Sequence, residues 1–188
     1  YTDPHYPMHA PEKYVSMFKH LPEDRQIMAA KIKALDESIG EIMKTLKDNG
    51  QLENTVIFFM GDNGPSREIH CWLDETVEPY YGGKAGRFRG HKMSLFEGGI
   101  RVPAIVSWPG RIPHGKINNQ MGSSIDIFPT FLKAAGGNIA DYELDGKDFM
   151  PVWADGQKSP HNMLFWEFRR QVAVRKGKFK LVLNGYDV

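Results

Sequence analysis

An uncharged run at residues 55–60, rich in β-branched and aromatic side chains, constrains the fold of this chain most strongly. Such a short apolar run after a long helical pattern predicts a buried strand of an α/β sheet. The run leads into Gly-Asp-Asn-Gly-Pro, so Asp62 and Asn63 follow the carboxyl end of the strand. Ligands bind at that edge of open α/β sheets, and two adjacent oxygen donors favour a cation such as Ca²⁺. An ordinary Asp-Asn-Gly turn explains the same residues equally well.

The pattern between Leu21 and Gly50 predicts one long amphipathic helix. Pro22 and the two acidic residues after it suit a first helical turn, and Gly50 supplies the stop. Six apolar side chains recur at steps of four and three: Met28, Ile32, Leu35, Ile39, Ile42 and Leu46. Burying this stripe would contribute roughly 9–18 kcal/mol before entropy, so we expect it to dock on a sheet. A coiled coil is disfavoured because the pattern covers fewer than four heptads.

The chain is otherwise ordinary in composition, with 188 residues, 41% of them hydrophobic and 25% charged, which suits one domain or a domain with a small appendage. A net charge of +1 gives no electrostatic case for nucleic acid or an anionic membrane. No apolar run approaches the ~20 residues of a membrane span. The single cysteine excludes an internal disulfide. Because the first residue is Tyr1 and no signal peptide follows, we expect an upstream segment to have been removed.

Two irregular segments carry polar side chains suited to ligand contact. Residues 1–14 contain three prolines, which predict a rigid, extended path without a helix and hold His5 in a defined direction. A plain surface histidine is the commoner explanation of such a residue. The second segment, residues 80–92, interleaves aromatic residues and glycines with four cations, among them Lys92. It lies in a long irregular connection, which favours an anion-binding loop over a solvated basic loop.

The rest of the chain predicts short elements. Residues 104–108 indicate a second buried strand. Ser123 or Ser124 can cap a helix over residues 125–135, in whose first turn Asp126 has a structural role. After residue 137, three short runs predict a small antiparallel sheet: 164–168, 171–175 and 179–183.

A divalent cation with a lysine and a histidine is suited to holding a tetrahedral oxyanion ester and stabilising its leaving oxygen. Ordered motifs with a consistent spacing run through nearly the whole chain: residues 3–7, 10–14, 56–65, 89–92, 97–103, 124–130, 144–146 and 173–181. With these motifs the sequence resembles the type I sulfatases, the formylglycine-dependent branch of the alkaline-phosphatase-like superfamily. The resemblance implies an α/β fold, with part of a mixed sheet sandwiched by helices over residues 1–137. A small antiparallel-sheet subdomain would follow over residues 138–188.

By the same resemblance, Asp62 and Asn63 would be calcium ligands, Lys92 would contact the sulfate, and His5 would contact the sulfate or the leaving group. His91 and Met93 stand where the family has glycines on either side of the lysine. His91 is therefore a further candidate for substrate contact, with a surface histidine as the alternative. The implied substrate is a sulfated carbohydrate or another sulfate ester, and the implied compartment is periplasmic, extracellular or lysosomal.

The sequence departs from the family at the nucleophile, a cysteine converted to formylglycine within Cys-x-Pro-x-Arg. Cys71 is followed by Trp-Leu-Asp-Glu, and residues 63–67 have the Pro-x-Arg spacing with asparagine in the nucleophile position. The family's upstream pair of calcium-binding aspartates is also missing, and Ca²⁺ takes about six to eight oxygen ligands. We therefore expect a C-terminal portion of a sulfatase, inactive alone. The formylglycine and the remaining Ca²⁺ ligands would lie on a missing N-terminal half.

Two alternatives remain open at this stage. A phosphomonoester or phosphodiester hydrolase of the same superfamily would use the same cation and the same positive side chains. A non-catalytic module that binds sulfated glycans, or that completes a partner chain, would need no nucleophile.

Overall fold

A computed structural model of the chain describes residues 1–69 and 82–185, which fall into two compact units. Of the described residues, the first unit comprises 1–52, 61–69 and 82–102, and the second comprises 53–60 and 103–185. The predictions about Cys71 and the start of the basic loop at Tyr80 lie outside the described residues. The predicted domain boundary after residue 137 stays a prediction. No described helix is long and apolar enough to cross a bilayer.

The first unit is built on the predicted long helix. Its helices are α1 (Glu12–Val15), α2 (Glu23–Asp48) and α3 (Glu97–Ile100). Pro22 is the N-terminal cap of α2, and Gly50 has a φ of +68°, which suits a residue that ends a helix. The prediction of this helix and of both its ends is confirmed.

One prediction for the N-terminal segment is wrong, because α1 starts inside it at Glu12. Pro11 is the N-terminal cap of this single helical turn. A proline is tolerated there because the first amides of a helix have no intrahelical partner, so its missing N–H costs nothing.

The expected burial of the α2 stripe is also wrong. At its start, α2 packs against the N-terminal segment, where Ile27 and Met28 cover the buried Met8. Further along, Ile32 and Ile42 remain about half exposed, at 50% and 49%. The described part of this unit contains no strand, so the stripe has no sheet within the unit to dock on.

The second unit contains both predicted central strands, β1 (Ile57–Met60) and β2 (Ala104–Ser107). They pair antiparallel, with Ile57 opposite Ser107 and Met60 opposite Ala104. Their predicted burial is wrong, since Ile105 is 65% exposed and Phe59 is 40% exposed. Pairing joins β1 and β2 along one edge and does not cover their faces. A strand is buried only when other elements pack on both of its faces.

The remaining predictions for the second unit match the structure closely. Helix α4 (Ile127–Ala134) follows a short 3₁₀ turn within the predicted range, whereas α5 (Met150–Ala154) is a short helix that was not predicted. The strands β3 (Leu164–Phe168), β4 (Gln171–Lys176) and β5 (Phe179–Leu183) form the predicted antiparallel sheet, in that order.

Asp126 organises this unit, as its predicted structural role requires. Its carboxylate accepts hydrogen bonds from the backbone amides of Ser123 and Lys147, both at 2.8 Å, and Ser123 completes a capping box at the start of the α4 region. The Nε2 atom of His161 lies 2.7 Å from the same carboxylate, and both side chains are buried. A buried carboxylate is stable only when its oxygens are paired, so Asp126 joins three separate segments.

Candidate functional site

Close backbone packing fixes the loop that carries Asp62 and Asn63. The amide of Gly64 donates to the carbonyl of Gly99 at 2.8 Å. A Cβ atom on Gly64 would lie 1.8 Å from the carbonyl oxygen of Gly98, so only glycine permits this approach. The loop is therefore held against α3 by its backbone.

The segment of Lys92 is held on the same framework. The amide of Gly98 donates to the carbonyl of Arg89 at 2.6 Å, and the amide of Lys92 donates to the carbonyl of Pro65 at 2.9 Å. The residue after Lys92, Met93, has a φ of +74°, a region that favours glycine. Glycine, which the family pattern has at this position, would adopt this conformation without strain. Two segments that the sequence analysis selected separately thus lie side by side.

The structure also brings His5 to Lys92. Their Nε2 and Nζ atoms are 3.4 Å apart, although the residues are 87 positions apart in the chain. The other ring nitrogen, Nδ1, lies 3.0 Å from the carbonyl oxygen of Tyr6. A carbonyl only accepts and an ammonium group only donates, so this geometry assigns the hydrogen to Nδ1 and leaves Nε2 as an acceptor.

A carboxylate that the sequence analysis missed completes this cluster. Lys92 Nζ donates to Glu68 Oε2 at 2.6 Å, and the Ser66 hydroxyl donates to the same oxygen at 2.7 Å. Burial opposes ionisation of Glu68 most strongly, but the hydrogen bonds from Lys92 and Ser66 outweigh it, so its pKa is lowered. No motif or periodicity marks Glu68, so nothing in the sequence indicated it.

His91 is a buried residue, with 5% of its surface exposed, so the surface-histidine alternative is wrong. Its Nδ1 atom lies 2.7 Å from the carbonyl oxygen of Lys92. The carbonyl of His91 accepts from the amide of Ser94 at 2.9 Å, which closes the turn around Lys92. Contact between His91 and a substrate stays a prediction.

The Asp62 side chain is exposed, whereas Asn63 is half-buried. The Oδ1 of Asp62 accepts from the amide of Asn63 at 3.0 Å, one residue on, and not from the amide two residues on as in an Asx turn. Their oxygens are of the hard type that Ca²⁺ binds, but two residues are too few for its coordination shell. Among residues 1–69 and 82–185, no group of three or more His, Cys, Asp or Glu side chains could hold a metal. A calcium site here needs ligands from elsewhere.

Comparison with known proteins identifies the class. The Sulfatase family model matches residues 1–137, and the chain belongs to this family. It is 38% identical over 152 residues to arylsulfatase A of Bos taurus, covering 78% of this chain and 28% of the relative. It is 37% identical over 150 residues to N-acetylgalactosamine-6-sulfatase of Canis lupus familiaris, covering 79% of this chain and 27% of the relative. The chain therefore spans less than a third of the length of these relatives.

Solved structures agree with this assignment. The crystal structure of Ps i-CgsB in complex with k-i-k-neocarrahexaose matches with a TM-score of 0.81 and 29% identity. The match covers 97% of this chain and 40% of that one. The predicted fold class, an α/β fold of the alkaline-phosphatase-like type with a small antiparallel sheet, is confirmed.

Proposed function

We propose that this chain is the C-terminal portion of a sulfatase that hydrolyses a sulfate monoester on a carbohydrate, in a periplasmic, extracellular or lysosomal compartment. The observation that carries the proposal is the approach of His5 Nε2 to Lys92 Nζ at 3.4 Å, beside the backbone framework of the Asp62 loop. The named activities of the relatives support it, and so does the neocarrahexaose with which Ps i-CgsB forms its crystallised complex.

Lys92 is the residue that would hold the sulfate. An ammonium group has three N–H donors, of which one is directed to Glu68 and one to His5. The third can bind an ester oxygen. The negative charge of Glu68 reduces the positive charge that the ester meets, so binding depends on how far the ester draws Lys92 from Glu68.

His5 would act at its Nε2 atom. In the arrangement described above, this nitrogen accepts from Lys92. An ester that draws Lys92 away from His5 would free Nε2, which could then take up a proton from solvent and pass it to the leaving oxygen. Proton transfer by a positioned side chain contributes about 10²–10⁴-fold in rate.

Asp62 and Asn63 would hold Ca²⁺ together with ligands on the missing N-terminal half, which would also carry the formylglycine. When present, the Ca²⁺ would offset the negative charge of the sulfate, and the hydrated formylglycine would supply the attacking hydroxyl. Because both depend on the missing half, we expect the 188-residue chain alone to be inactive.

The proposal is tested with the complete polypeptide that contains both halves. We expect it to hydrolyse an aryl sulfate faster than the matched aryl phosphate. Lys92→Ala should reduce the sulfate rate by about 10²-fold or more, since it removes a donor to developing charge. Lys116→Ala, at an exposed lysine outside the basic loop, is the control and should retain the rate.

Three results would contradict the proposal. A faster phosphate rate would indicate a phosphoester hydrolase. Affinity for a sulfated sugar without hydrolysis, after the missing half is supplied, would indicate a binding module. Aryl sulfate turnover by the 188-residue chain above its own Lys92→Ala variant would show that no missing half is needed.

A further inference from the structure

Lys31, in the first half of α2, is a buried lysine with only 5% of its surface exposed. Its Nζ atom lies 2.7 Å from the carbonyl oxygen of His5 and 3.2 Å from that of Pro7. It also lies 3.2 Å from the Asp3 carboxylate. These three acceptors match the three donors of an ammonium group, as a buried charge requires.

All three acceptors belong to the segment that carries His5. This segment forms no regular helix or strand before α1, so its carbonyls have few backbone donors. The carbonyl of Pro7 also accepts from the amide of His9 at 3.1 Å, whereas the carbonyl of His5 accepts from Lys31. Lys31 supplies a donor to the carbonyl of His5 and to that of Pro7, and so determines the path of the backbone at His5.

An apolar contact beside Lys31 reinforces this attachment. Met8 is buried against Ile27 and Met28, which lie about one helical turn before Lys31. The polar contacts hold residues 3–7 and the apolar contact holds the residue after them. Helix α2 therefore fixes the His5 segment from a single face.

We propose that Lys31 is a positioning residue that holds the His5 imidazole against Lys92. Lys31 acts only through its contacts with the His5 segment. The inference rests on the proposed function and extends it, because it gives the buried lysine of α2 a role in the sulfate site. The general case for such a role is that a catalytic group displaced by about 1 Å loses on the order of 10²-fold in rate.

The test begins with NMR spectroscopy of the 188-residue chain, which needs no activity. In the wild type we expect a nuclear Overhauser effect between the His5 ring and the Lys92 side chain, as their 3.4 Å separation requires. Lys31→Met should abolish this signal, while most backbone amide shifts stay unchanged. Lys33→Met is the matched control, because Lys33 lies on the same helix but pairs with Glu37 at 3.3 Å.

A Lys31→Met variant that retains the signal overturns the inference. If Lys31→Met does not fold, Lys31→Gln decides, since its amide is polar but uncharged, one bond shorter, and offers two donors in place of the three that Lys31 directs to His5, Pro7 and Asp3. A weakened signal in Lys31→Gln supports the positioning role, and an unchanged signal overturns it.

The second arm measures kinetics in the complete polypeptide on an aryl sulfate. Lys31→Met should lower kcat by about 10- to 100-fold with a smaller change in KM, and Lys31→Arg should restore part of kcat. An active wild type with an unchanged Lys31→Met rate overturns this inference alone. A wild type without sulfatase activity overturns the proposed function, and the NMR result then decides the role of Lys31 independently.

Discussion

Lys92 illustrates how single residues set the chemistry of this site, since its ammonium group lies between a carboxylate and an imidazole. Glu68 receives its hydrogen bond at 2.6 Å, and His5 faces it at 3.4 Å. The Glu68 side chain is 24% exposed and that of Lys92 is 19% exposed, so water screens the pair only partly. The pairing favours the ionised carboxylate, which is why the pKa of Glu68 is lowered.

The lowered pKa of Glu68 predicts how the stability of the chain depends on pH. The folded-state pKa lies below the ordinary value of 4.5, so the pair stabilises the folded state above pH 4.5. This contribution is lost as the pH falls through the lowered pKa that Glu68 has in the folded state. Urea unfolding should show that Glu68→Gln costs about 1 kcal/mol near pH 7 and nothing at strongly acid pH.

Glu41→Gln, at an exposed position of α2, is the control for this measurement. Its effect on the free energy of unfolding should be small throughout. A Glu68→Gln cost that grows as the pH falls would show that the pair does not favour the ionised form.

At the scale of elements, α3 separates the loop that carries Asp62 from the segment that carries Lys92. Gly98 and Gly99 are buried, and each approaches backbone atoms of neighbouring residues too closely for a side chain. A Cβ on Gly98 would lie 2.2 Å from the carbonyl oxygen of Gly90, and a backbone atom cannot rotate away. The short helix therefore sets the distance between the Asp62 loop and the Lys92 segment.

Alanine substitutions at two glycines should change stability in opposite directions. Gly98→Ala should lower the free energy of unfolding by about 2–3 kcal/mol, because the backbone must move to admit the methyl group. Gly40, inside α2, has nothing within 4 Å of an added Cβ. Gly40→Ala should raise the free energy of unfolding by about 0.5–1 kcal/mol, since alanine loses less entropy in a helix.

Urea denaturation of both variants tests this prediction. A stable Gly98→Ala protein with unchanged Lys92 amide shifts would show that α3 does not set the spacing of the loops.

At the scale of the whole molecule, several elements present apolar faces to solvent. In the small sheet, Phe165, Val174 and Leu181 form one cross-strand row, and Phe165 and Leu181 are exposed. On the same face of β5, Phe179 is 72% exposed. The complete sulfatase that we propose would have further residues to cover such faces, as a folded protein rarely leaves them in water.

The exposed sheet face should bind a hydrophobic dye in the isolated chain. Fluorescence of ANS should fall when Phe165, Phe179 and Leu181 are all replaced by threonine, while the circular dichroism spectrum stays unchanged. Threonine suits a strand, so the sheet itself should persist. Leu164→Thr is the contrasting control, because Leu164 is buried on the opposite face and its loss should disturb the fold. Unchanged dye binding in the triple variant would show that another surface binds the dye.

Local patterns predicted the elements well and their surroundings poorly. The period of apolar residues in α2, the capping residue Ser123 and the three short apolar runs of the C-terminal sheet each depend on neighbours in the sequence. The burial of β1, β2 and the α2 stripe depends instead on what packs against them. A pattern indicates which face is apolar, and it carries no information on whether that face is covered.

The sequence by itself determined the family and the main helix and strands, and it selected His5 and Lys92 as candidates, because motifs and periodicity are written in consecutive residues. Only the tertiary structure decided which distant groups meet. It placed His5 against Lys92 across 87 positions, and it brought in Glu68 and Lys31, neither of which belongs to a recognisable motif. The physical reason is that such contacts depend on backbone packing, as at Gly64 and Gly98, where the absence of a side chain lets two loops touch.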